Sequence, residues 1–189
     1  LASSYVLFFS YPRAAETFEQ IADNEHFDDE PRREASRQSL ALYASLGDAG
    51  GVRRARERFR TLGASPEEMA EADFVVASSE LKRWDQYSPD VGANRQARAR
   101  AMAAMEEYHR THQGQEAAAS YVVQAAYWSA KMRRAARAPD TQRWWDATIA
   151  AFERYRRVAP LQDGRSAALG SPEAAMAAEA EYTAIDQQL

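Results

Sequence analysis

Cysteine is absent from this chain of 189 residues, which removes disulfides, thiolate metal sites and cysteine nucleophiles together. Lysine is scarce: Lys82 and Lys131 are the only two among 24 basic residues. No apolar run approaches the ~20 residues that crossing a bilayer requires, the nearest being YVLFF at residues 5 to 9. A signal peptide's basic start and small-residue cleavage site are missing too, and Leu1 in place of Met reads as a processed or excised chain. No stretch alternates with period two and β-branched enrichment, so no sheet is expected. Glycine numbers only 8, and Gly50-Gly51 has no companion of the kind a phosphate loop needs.

What is present describes a folding chain. Hydrophobic residues make up 46% and charged residues 28%, enough apolar surface for a core and too much for disorder. A net charge of −4 argues against a general nucleic-acid binder, which is normally basic. The bias toward arginine and alanine is that of a GC-rich genome.

Helical periodicity runs from end to end. Pro12 suits a first helical position, and Ala14, Ala15, Phe18, Ile21 and Ala22 follow at three- and four-residue steps. Upstream, Leu1, Ala2, Tyr5 and Phe8 or Phe9 form another such stripe. Residues 31–46 carry Leu40, Tyr43 and Leu46 on one face and stop at Gly47, and residues 52–62 carry Val52, Ala55, Phe59 and Leu62 and stop at Gly63. Ser65-Pro66-Glu67-Glu68 is a capping box that predicts a helix to about Tyr87. Ser88-Pro89-Asp90-Val91-Gly92 is a turn. Further helices are predicted over 94–112, 116–137, 141–158 and 172–189, with 161–170 as a loop. The expected organisation is a single all-α domain over 1–189 with hairpins at about 1–24, 31–62, 66–112 and 116–158, and an orphan helix at 172–189.

Residues 1 to 26 resemble a tetratricopeptide repeat. Leu1 and Ala2, Tyr5, Ala14, Phe18 and Ile21 reproduce that family's spacing of large and small residues, and Tyr11 stands at the turn. Tyr43-Ala44-Ser45-Leu46-Gly47-Asp48 resembles the end of a first helix and its turn, and Phe152 with Pro160 keeps the Phe-to-Pro spacing. Second helices centred on Ala14, Ala55, Ala97 and Thr148 depart from the family's period of about 34 residues. The resemblance implies a divergent right-handed superhelical array of antiparallel hairpins, an excerpt of a longer one, whose concave side binds a peptide or partner protein. It places Glu34, Arg37, Gln38, Ala41 and Ser45 on that side. Ala41 stands where carboxylate-clamping members have asparagine. Bacterial proteins of this kind serve envelope assembly, which implies the periplasm or outer membrane.

Catalytic signals are poor. Glu106 and His109 form one Glu-x-x-His step of the di-iron type, but no second copy exists, and His109 and His112 fit the wet end of a helix. Asp28-Asp29-Glu30 fits a helix cap. No enzyme activity and no cofactor are expected; the alternatives are a helical-bundle metal enzyme using Glu106 and His109, or a nucleic-acid-associated repeat. Arginine sets at 53–60, 95–100, 133–137 and 154–157 spread around their helices, with Glu57 placed to pair with Arg53, Arg54 or Arg60. Trp144 and Trp145 lie about 100° apart on a helix, so one belongs in a core and the other is a binding-anchor candidate.

Overall fold

The protein is described here by a computed structural model covering residues 2–3, 10–162 and 165–186. Most of the expected first helix, with Leu1, Tyr5, Phe8 and Phe9, lies outside the described residues, as do the final three residues of the orphan helix. Eight α-helices stand among the described residues: α1 (Tyr11–Asp23), α2 (Asp29–Leu46), α3 (Ala49–Thr61), α4 (Pro66–Leu81), α5 (Gly92–His112), α6 (Ala119–Ala136), α7 (Thr141–Val158) and α8 (Pro172–Asp186). The fold is all-α. The loop after α7 tightens into a two-residue antiparallel pairing, β1 (Leu161–Gln162) with β2 (Arg165–Ser166).

Local chemistry sets the helix ends. Gly47 adopts φ 77°, a left-handed value that glycine takes without steric penalty, and closes α2. Asp48 then accepts from the N–H groups of Gly50 and Gly51, both at 3.0 Å, so α3 starts at once. The capping box forms reciprocally: Ser65 N donates to Glu68 Oε2 at 2.7 Å and Glu68 N to Ser65 Oγ at 3.2 Å. Helix α4 stops at Leu81, earlier than the periodicity predicts, because the following residues are drawn into a loop around Asp85 and Asn94. The Asn94 amide donates to the carbonyls of Asp85, Ser88 and Pro89, and Asp85 accepts from Tyr87 N and Ser88 Oγ. Helix α6 ends on Arg137 in a left-handed conformation, φ 55°, where glycine is usual.

The chain divides into two compact units, residues 1–79 and 80–189. The division falls inside α4, so the two helices expected to make the 66–112 hairpin belong largely to different units. In the first unit α1 packs on α2 and α2 on α3. Ala15, Leu40, Tyr43, Ala55, Phe59 and Ala72 form its core, with Met69 and Val76 of α4 against the edge. Burying such side chains contributes about 25 cal/mol per Å² of apolar surface, so these stripes and not intrinsic propensity hold the helices. Buried Ser36 lets α2 and α3 approach closely and donates to the Ala55 carbonyl at 3.0 Å.

In the second unit α6 is central: it packs on α5, α7 and α8, and α8 also packs on α7. Tyr127, Ala130, Trp145, Ala180 and Ala184 form the core there, edged by Trp128, Trp144, Ile149 and Met176. The sequence leaves α8 as an orphan; the fold seats it against two helices. All four tryptophans, Trp84, Trp128, Trp144 and Trp145, belong to this unit.

Candidate functional site

The five α2 positions implicated by the resemblance share one face of that helix. Glu34 and Ser45 are exposed, and Arg37, Gln38 and Ala41 are half-buried. Arg37 grips Glu34 with two hydrogen bonds of 2.8 Å, and Gln38 donates to the same carboxylate at 2.6 Å. The Arg37 hydrogen bond chiefly, with help from Gln38, holds the Glu34 carboxyl below its ordinary range. Ser45 Oγ donates to the Ala41 carbonyl at 2.9 Å. The face therefore presents an ordered acid–base–amide ladder, a small apolar step at Ala41 and a hydroxyl. Arg37 also lies 4.0 Å from Glu71 on α4, at the long limit of an ion pair.

The tryptophan pair separates as helix geometry requires. Trp145 is fully buried, and so is removed from any partner surface; it fills the core between α6, α7 and α8. Trp144 is half-buried, edge-on to His109 at 5.3 Å and beneath the Arg133 guanidinium at 5.4 Å. Of the two, only Trp144 reaches the surface.

Glu106 and His109 do not converge on a shared point. Glu106 accepts from Arg133 at 2.5 Å, and Arg133 turns its other nitrogen to Asp140 at 2.6 Å. His109 is pushed below its ordinary pKa by burial and, secondarily, by Arg143, so it is neutral near pH 7. His112, expected at the wet end of α5, is buried, stacks on Tyr108 at 4.3 Å and shares a 3.0 Å hydrogen bond with Gln115. Among the described residues no group of three His, Asp or Glu is placed to hold a metal ion. A shallow cleft of about 260 Å³ lies beside His109, floored by Ala119, Val122, Ala147 and Ala150. Arg154 closes one end and caps α5 through the carbonyls of Gln113 and Gly114 at 2.7 and 2.6 Å.

Sequence reasoning missed a network around Glu19. Tyr43 Oη donates to Glu19 at 2.5 Å, Arg54 donates twice at 2.8 and 3.1 Å, and Arg58 pairs with both Glu19 and Asp23. The Arg54 hydrogen bonds are the largest influence lowering the Glu19 carboxyl to about 2, and the same carboxylate, after burial, pushes the Tyr43 hydroxyl up to about 12. Arg54 is thus committed to α1, not to Glu57, which pairs with Arg60 at 2.5 Å. No local signal connects residues 19 and 54; only the α1–α2–α3 packing does.

A second missed signal is internal. Ala70-Glu71-Ala72-Asp73-Phe74 on α4 recurs as Ala178-Glu179-Ala180-Glu181-Tyr182 on α8; both helices open with Ser-Pro-Glu, its serine five residues before the motif in α4 and seven before it in α8. The fold honours that register. Ala72 and Ala180 both enter a core, and at the next matching pair Ala184 is buried while Val76 packs against the core's edge. Glu71 faces Arg37 on α2, and Glu179 pairs with Lys131 on α6 at 2.9 Å while accepting from Tyr127 at 2.6 Å.

No described helix is long and apolar enough to cross a membrane. Compared with known proteins, the chain matches no family model, no curated protein and no solved structure.

Proposed function

We propose that the chain is a non-catalytic interaction scaffold of the tetratricopeptide-like kind, a divergent stack of helical hairpins that holds an extended peptide or partner segment against α2. The observation that carries the reading is the single α2 face shared by Glu34, Arg37, Gln38, Ala41 and Ser45. Its Glu34–Arg37–Gln38 ladder is fixed in place before any partner arrives. A peptide backbone requires such a surface: pre-ordered donors and acceptors to fix register, and a small residue where the chain comes close. Trp144, half-buried under Arg133, is a second anchor in the other unit.

The rest of the charge pattern supports binding over chemistry. Glu106 is engaged by Arg133, so it is not a free ligand or base. Arg54, Arg56, Arg58 and Arg133 each meet a carboxylate of another helix or of a loop, which leaves them less charge for a phosphate backbone.

A random-sequence peptide library selected on the immobilised full chain tests the proposal. A selected peptide is expected to perturb amide shifts over residues 34–45 and to lose binding in the Ala41→Arg variant. Selection of no peptide, or a perturbation map that leaves α2 untouched, overturns it.

A further inference from the structure

The recurrence between α4 and α8 exposes a face whose equivalent is covered elsewhere in the same chain. Besides the core stripe, α4 carries a second stripe, Ala70, Phe74 and Ala77. Ala70 is 1% exposed, Ala77 7%, and Phe74 half-buried. The matching stripe on α8 is Ala178, Tyr182 and Ile185. Ala178 is exposed, Tyr182 is 74% exposed and Ile185 61%. The sequence thus repeats an apolar stripe that is buried at its alanines and half-buried at Phe74 in one copy, and open to water throughout in the other. Two large apolar side chains one helical turn apart on an open face form the kind of patch that a partner helix covers.

Charge says what kind of helix. Helix α8 contains Glu173, Glu179, Glu181 and Asp186 and no basic residue. Glu173 accepts from Gln124 and Glu179 is engaged by α6, whereas Glu181 and Asp186 are exposed beside Tyr182 and Ile185. On α4 the residue equivalent to Glu181 is Asp73, which takes two hydrogen bonds from Arg56 at 2.5 and 2.8 Å. Carboxylates of α1 and α4 meet arginine on α3, Glu19 with Arg54, Asp23 with Arg58 and Asp73 with Arg56, and Glu179 of α8 itself meets Lys131 on α6. An isologous pairing of α8 with a second copy of itself sets acid against acid and is disfavoured.

We infer that the outer face of α8, formed by Ala178, Glu181, Tyr182 and Ile185, is a docking surface for an arginine-bearing amphipathic helix of a partner protein. Tyr182 and Ile185 supply the apolar seat, and Glu181 and Asp186 select the sign of the flanking charges. The inference rests on α8 and its comparison with α4, and is independent of the α2 face.

The test uses the full chain and two synthetic amphipathic helices that share one leucine and alanine stripe, one flanked by arginine and the other by glutamate. Fluorescence anisotropy is expected to show the arginine helix binding at least about tenfold tighter, the factor that 1.4 kcal/mol of charge pairing gives. Glu181→Lys is expected to narrow that ratio, and Tyr182→Glu with Ile185→Glu to abolish binding of both. Shift mapping on the unaltered chain keeps the test independent of how the variants fold: perturbations are expected over residues 178–186. Equal affinities, no binding of either helix, or a map elsewhere overturns the inference. Sedimentation showing a dimer that Tyr182→Glu dissolves also overturns it, by assigning the face to a second copy.

Discussion

Gly51→Ala has the opposite sign to the one helix propensity alone predicts. Exchanging a helical glycine for alanine ordinarily stabilises a protein by up to about 1 kcal/mol, through the unfolded chain's lost freedom and the helix's gain. Here a Cβ on Gly51 falls inside the van der Waals envelope of Cγ, Cδ1 and Cδ2 of the Tyr43 ring. That ring has little room to retreat. It is buried in the core with Leu40, Phe59 and Ala72, its hydroxyl is hydrogen-bonded to Glu19, and the Arg54 guanidinium lies 5.7 Å above it. Overpacking a rigid core costs about 1–3 kcal/mol, so the net loss is about 1–2 kcal/mol after the propensity gain. Urea denaturation of the full chain followed by far-ultraviolet circular dichroism measures it. In a Tyr43→Ala background the obstruction is gone, and the same substitution is expected to be neutral or stabilising, a coupling of about 2 kcal/mol in a double-mutant cycle. A variant as stable as the parent, or an equal loss in both backgrounds, refutes the close-approach account.

Three further outcomes follow from the same contacts. Because the Glu19 carboxyl is lowered from 4.5 to about 2, its stabilisation is present above pH 4.5 and is lost as pH falls from there toward 2. The shift corresponds to about 3 kcal/mol, reduced to about 1–2 kcal/mol because Arg54 is solvent-exposed, and acid titration of stability should show Glu19→Gln converging on the parent at low pH. Arg137→Gly relieves the left-handed backbone at the end of α6 and is expected to raise the midpoint of thermal unfolding by an amount equivalent to about 1 kcal/mol. Arg133→Ala strips Glu106 and Asp140 of their shared partner and uncovers Trp144; with both carboxylates partly solvated, a loss of about 2 kcal/mol and a change in tryptophan emission are expected.

The helices were legible in the chain because their ends are written in local chemistry. Ser65 with Glu68, Gly47 with Asp48, and Pro12 each fix a terminus within four residues, and the periodic stripes place Leu40, Tyr43, Ala55 and Phe59 in the core, whereas Leu46 at the end of its stripe is exposed. What the chain hides is which charges meet. Arg54 has Glu57 three residues away and chooses Glu19 35 positions upstream, because α1 and α3 both pack on α2 and that brings the half-buried carboxylate within reach. His112 carries a polar ring that sequence reasoning assigns to water, yet stacking on Tyr108 and a bond to Gln115 let it sit inside. The stop at Leu81 depends on Asn94 reaching back across nine residues to Asp85, a closure that periodicity does not register. Within the candidate sites, helical spacing alone separated Trp144 from Trp145. The openness of Tyr182 and Ile185 became visible only once Ala72 and Ala180 were seen to play the same part.

The placement of every tryptophan in residues 80–189 makes indole light a native reporter for one half of the molecule. Since the chain has no thiol of its own, Ser45→Cys creates a single attachment point for an acceptor dye in the other half. Energy transfer from the indoles to that dye then becomes a ruler across the protein, with the donor already built in.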